Sequence, residues 1–171
     1  MMAKNYKNVI RDKRIEAGKL MTEKQWNACH GIIHTASVAS GAAGAIPIPV
    51  ADAIPISAAQ VTMVVALGKL FDQKLDEGAA KGAIAAAAST FIGRNLVKFI
   101  PVAGWIASAA VAAGVTEAIG WTIATDMGKT YRKELKRREA ENEAAEAFSK
   151  AEFFKESNRY FDSDEEAEDI D

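Results

Sequence analysis

An all-α fold is predicted by three observations. Apolar residues recur at three- and four-residue spacing along the chain, no stretch alternates as a strand would, and prolines stand between helical runs. The apolar content is unusual in kind: 49% of residues are hydrophobic but only 8% aromatic, with alanine dominant and glycine frequent. Small side chains let helix backbones approach closely, in a tight bundle or in lipid. At 171 residues the chain suits one domain with a sizeable core and a short tail.

Charge divides the chain into a basic helical segment at 1–24, a hairpin core at 25–128, a charged amphipathic helix at 129–160 and a disordered acidic tail at 161–171. The first long helix should begin at Thr22, because Thr22 and Gln25 have capping-box spacing. Trp26, Cys29, Ile33, Ala36 and Ser40 then share one face, and Gly41, Gly44, Pro47 and Pro49 weaken and end that helix. A second helix starts at Asp52 or Ser57, with Pro55 tolerated in its first turn. A third spans about Gly78 to Phe99, and a fourth follows Pro101 into the charged segment, with breaks expected at Gly120 and Gly128.

The prolines have a pattern. Ile48–Ile54 aligns with Ile100–Ile106 at an offset of 52, and Ser37, Gly41, Ala58 and Gly68 match Ser89, Gly93, Ala110 and Gly120 at the same offset. An Ala/Gly-rich bundle of two pseudo-repeated helical hairpins is expected, plus charged terminal helices. Pro47, Pro49, Asp52, Pro55 and Pro101 would form the hairpin corners. Two independent proline corners would leave the same fold class.

A spanning helix needs about 20 apolar residues. Phe99–Thr116 is uncharged but short, and alanine and glycine barely drive insertion, so buried bundle helices are the favoured reading. The flanks pull the other way. Basic clusters bracket the apolar region, and Lys98, Trp105, Arg132, Lys133, Lys136, Arg137 and Arg138 are types suited to an anionic interface or a partner. Solvated terminal helices would look the same, and an amphitropic protein satisfies both observations.

A net charge of −2 offers no footprint for nucleic acid. The single cysteine, Cys29, excludes an internal disulfide framework, and the N-terminus has no secretory h-region; a cytoplasmic location is expected, peripheral to or inserted in an inner membrane. Met127–Thr130 reads MGKT, but a phosphate loop needs glycine where Ile123 stands. His30 and His34 sit one turn apart without a third ligand, which favours a polar bridge between helices over a metal site. Glu117 suits a structural ion pair with Lys69 or Arg94 better than a functional carboxylate. No catalytic, cofactor-binding or metal site is expected. Tyr131, Leu135, Phe148, Phe153 and Phe154 lie in the amphipathic segment, available to the bundle or to a partner.

The proline corner with its acid (Pro47, Pro49, Asp52), Gln60 and Met63 on an apolar helix, a second corner (Ile100, Pro101) and the Thr116–Gly120 spacing together resemble a known family. It is the helical domain of unknown function found C-terminal to some bacterial Era-like and dynamin-like small GTPases and in YcjF-type inner-membrane proteins. The resemblance covers roughly residues 28–130. It implies a helical partner of a small GTPase, often near a membrane, without catalysis of its own. No GTPase motif stands in these residues, so a separate GTPase is implied. The expected function is a non-enzymatic amphitropic domain docking on an anionic membrane surface or a small GTPase, as a homo-oligomer. A self-associating soluble scaffold and a pore-forming effector are the alternatives.

Overall fold

The computed structural model describes residues 3–45, 53–92 and 105–165, and the side chains of 7–45, 54–89 and 109–159. The described residues form five helices and no strand: α1 (Ala3–Leu20), α2 (Glu23–Gly44), α3 (Ala53–Leu70), α4 (Glu77–Ile92) and α5 (Trp105–Glu165). The chain divides into a compact unit, Met1–Tyr131, and a second unit, Arg132–Asp171.

Local chemistry sets most helix ends. The Gln25 N–H donates to Thr22 Oγ1 (3.2 Å) and the Thr22 N–H to Gln25 Oε1 (3.0 Å), the reciprocal box that satisfies two orphan donors of α2. Pro55 is the third residue of α3, within the first turn, where its missing N–H costs nothing. At the far end of α3, Asp72 adopts φ 55°, and the Gln73 N–H reaches the Gly68 carbonyl at 2.8 Å. That is a Schellman-type ending, with an aspartate in the left-handed position that glycine usually fills. Asp76 caps α4 by accepting the Ala79 N–H at 2.7 Å, and Glu77 pairs with Lys81 one turn on.

The core is built by α2, α3 and α5, with α1 and α4 against them. Trp121, Phe71, Ile33, Met63, Leu67 and Val64 are its largest fully buried side chains. Polar ties cross between helices at defined points. Ser37 Oγ donates to the Ala113 carbonyl (2.9 Å), and Gln60 Nε2 donates to Thr116 Oγ1 (3.0 Å). Lys129 and Lys13 both donate to Glu16, at 2.6 and 2.9 Å, joining α1 to α5. Burial in this close-packed interior is therefore accompanied by hydrogen bonding for most of its polar atoms; Ser40 Oγ and Trp121 Nε1 have no partner among the described residues.

The structure differs from the sequence-based expectation in two places. α5 runs unbroken through Gly120 and Gly128. A Cβ on Gly120 would lie 2.9 Å from Ile33 Cγ1, Ile33 Cγ2 and Met63 Sδ, and one on Gly128 would lie 3.1 Å from Met21 Cε. Gly120 is a point of close approach, and the packing it permits outweighs a helix-propensity cost of about 1 kcal/mol; at Gly128 the near atom is the end of a flexible side chain. The second difference is at the tail. α5 continues to Glu165, so residues 161–165 are helical rather than disordered, because propagating an existing helix needs no new nucleus.

Pro47, Pro49, Asp52, Pro101 and Lys98 lie outside the described residues, as do both Ile-Pro-Val-Ala corners and the expected end of the third helix at Phe99. No helix among the described residues is long and apolar enough to cross a membrane.

Candidate functional site

Within the compact unit, three helices meet at a stack of rings. Trp26, His30 and His34 stand one turn apart on α2, which places their rings on one face. Trp26 stacks on His30 at 5.4 Å with 6° between planes, and His30 stacks on His34 at 5.9 Å with 3°. Trp121 of α5 closes the inner side, 5.5 Å from Trp26 and 6.3 Å from His30. Arg14 of α1 sets its guanidinium 5.4 Å from the Trp26 ring and 5.6 Å from the Trp121 ring. A cation facing two indoles is attracted by both ring faces, so this contact ties α1 to the other two helices.

The stack explains the histidine pair. Parallel rings set their nitrogens side by side instead of converging on one ion, and no group of three His, Cys, Asp or Glu residues among those described is arranged to hold a metal. Cys29, directly before His30, is fully buried, and burial pushes its thiol up to about 12. Such a thiol stays protonated and is a poor nucleophile. Glu117 is half-buried and forms no ion pair with Lys69.

Two open grooves mark the compact unit. The larger, about 550 Å³, lies between α3 and α4 and is lined by Ile54, Ser57, Val61, Thr62 and the Glu77–Lys81 pair. The smaller, about 320 Å³, runs between α4 and α5 past Leu75, Ala87, Ile123 and Asp126. Pro55 and the 76% exposed Ile54 sit at the start of α3, next to the undescribed corner.

The other candidate surface belongs to the second unit. From Arg132 to Arg159 every side chain is exposed except the half-buried Glu134 and Ser157. Arg132, Lys133, Lys136, Arg137 and Arg138 all stand on this stretch, and five cations within seven residues make a dense basic cluster. Glu134 Oε1 accepts from Arg137 Nη2 (2.6 Å) and Arg138 Nε (3.4 Å), and the Arg137 contact holds its carboxyl below the usual carboxylate range. Further along, Phe148, Phe153 and Phe154 are 65–70% exposed, and the last two meet edge to face at 6.2 Å. Trp105 opens α5, and its side chain is not among those described.

The sequence singled out Trp26 and the histidines but not Arg14 or Trp121, whose parts in the stack depend on contacts between different helices. The four-residue spacing of Trp26, His30 and His34 was the only local signal of it. The residues behind the family resemblance also meet: Gln60 bonds Thr116, and Met63 packs on Gly120. Their pattern is thus accounted for as α3–α5 packing. Comparison with protein-family models, with curated proteins and with solved structures returns no match for this chain.

Proposed function

We propose that this protein is a non-enzymatic helical docking module that engages an anionic membrane surface from its periphery. The observation that carries the reading is the exposed part of α5, where a basic cluster precedes three phenylalanines without cover among the described residues. Cations drawn to an anionic leaflet each add about 1 kcal/mol, and exposed aromatic rings enter the headgroup region favourably. Together they form a two-part anchor: charge brings the helix to the surface, and phenylalanine holds it there.

A second reading has a small GTPase as the docking partner. It is favoured by the α3–α5 contacts of Gln60 with Thr116 and Met63 with Gly120, since these are residues shared with the helical domains that accompany such GTPases.

Flotation of the full chain with anionic and neutral vesicles, at low and high salt, tests the first reading. Binding to anionic vesicles is expected, reduced by salt and by the triple substitution K133Q/K136Q/R137Q. Absence of flotation under every condition would overturn it and leave the protein partner. Release of a vesicle-trapped dye would instead indicate a pore-forming effector.

A further inference from the structure

The exposed part of α5 carries a second pattern, which shares Phe154 and the basic cluster with the membrane reading. Ala140, Ala144, Ala147, Ala151, Phe154 and Asn158 follow one another at alternating four- and three-residue steps, and Phe161 continues the series in the sequence. A strict seven-residue repeat keeps one stripe of a helix turned toward a neighbouring helix along its length. Each of these side chains from Ala140 to Asn158 is exposed in the single chain.

A stripe of alanines alone would suit many neighbours, but charge selects one. The stripe is preceded by Arg132, Lys133, Lys136, Arg137 and Arg138 against two acids, Glu134 and Glu139. It is followed by Asp162, Asp164, Glu165 and four further acids, with no base among residues 162–171. A parallel copy would set like charge on like at both ends. An antiparallel copy sets each basic end against an acidic one.

Side-chain size favours the same orientation. The antiparallel register that faces Ala147 with Ala151 of the partner subunit also faces Ala144 with the partner's Phe154, and Ala140 with the partner's Asn158. Each larger side chain then meets an alanine, whereas a parallel pair would oppose Phe154 to itself. We propose that residues 140–158 pair antiparallel with a second copy of this chain, oriented by the oppositely charged segments that flank them. Phe153 lies off this seam, so pairing leaves it available to a lipid surface.

Sedimentation of the full chain without lipid tests the pairing. A dimer is expected at micromolar concentration, weakened by salt and by about tenfold or more in A147E/A151E, whose glutamates retain helix propensity at exposed positions. Circular dichroism confirms that the variant keeps its helices. Orientation is read by oxidative cross-linking: A144C/F154C should form a covalent dimer. Neither A144C nor F154C alone should do so, because ten residues separate the like positions by about 15 Å. A monomer at all concentrations, a dimer indifferent to both glutamates, cross-linking by either single variant, or none by the pair would overturn the inference.

Discussion

Between Thr116 and Gly128, α5 buries every side chain except the half-buried Glu117 and the exposed Asp126, using small residues and one tryptophan to meet α2 and α3. From Arg132 to Arg159 the same helix exposes nearly everything, and its contacts are ion pairs within its own turns, such as Arg137 with Glu134 and Glu141. The first stretch is held by packing, and at Gly120 close approach to Ile33 repays the propensity cost of glycine. The second is held by propensity and by weak, solvent-screened i,i+3 and i,i+4 pairs. The contrast predicts that substitutions in the buried stretch act on stability and that substitutions beyond Arg132 leave the stability of the compact unit nearly unchanged.

Truncating one large aromatic in each stretch should separate them most clearly. Trp121→Ala is expected to cost about 3–5 kcal/mol in thermal or denaturant unfolding, since it empties the centre of the core. Phe154→Ala should change unfolding of the compact unit by less than about 0.5 kcal/mol, while weakening association. Trp121→Phe sharpens the point. Trp121 Nε1 has no hydrogen-bond partner among the described residues, so losing it should cost far less than losing the ring.

The two glycines of the buried stretch should then behave oppositely. Gly120→Ala forces a Cβ onto the branched, 1% exposed Ile33 and is expected to lose about 1–2 kcal/mol despite its helix propensity. Gly128→Ala is tight only against the flexible end of Met21 and otherwise in ordinary contact with Met21 Cγ and Phe71 Cε1, so about 0.5–1 kcal/mol of gained propensity should remain. Chemical denaturation of both variants checks the sign.

A smaller effect concerns the tie between α1 and α5. Hydrogen bonds from Lys129, chiefly, and from Lys13 lower the Glu16 pKa in the folded state. That stabilisation is therefore present above the unfolded-state value of about 4.3 and is lost as pH falls through the lower folded value. Because Glu16 is largely solvated, Glu16→Gln should cost at most about 1 kcal/mol at neutral pH, a gap that closes on acidification. The smallest change is a gain: Asp72→Gly, at φ 55°, should stabilise by about 0.5 kcal/mol as measured by unfolding midpoint.

What the sequence disclosed follows the same division between local and long-range causes. The Thr22 cap and the place of Pro55 depend on neighbours within four residues, and the all-α class on periodicity, so each was legible. Gly120 and Gly128 were read as breaks because propensity is local, whereas the partners that make them contacts, Ile33, Met63 and Met21, are distant in the chain. Arg14 was read as one more charge of a basic flank, and only the fold brings it over Trp26 and Trp121. The basic cluster from Arg132 to Arg138 needed no fold to be seen. Its exposure did, because helical spacing cannot tell an amphipathic helix packed on its own bundle from one left open.

Hydrogen exchange along α5, followed at several protein concentrations, tests that exposure most directly. Amides from Thr116 to Gly128 should be strongly protected and indifferent to concentration. Those beyond Arg132 should exchange far faster in dilute protein and gain protection as concentration rises. Uniform protection along the whole helix at every concentration would contradict this, and would mean that the second unit is already covered by its own chain.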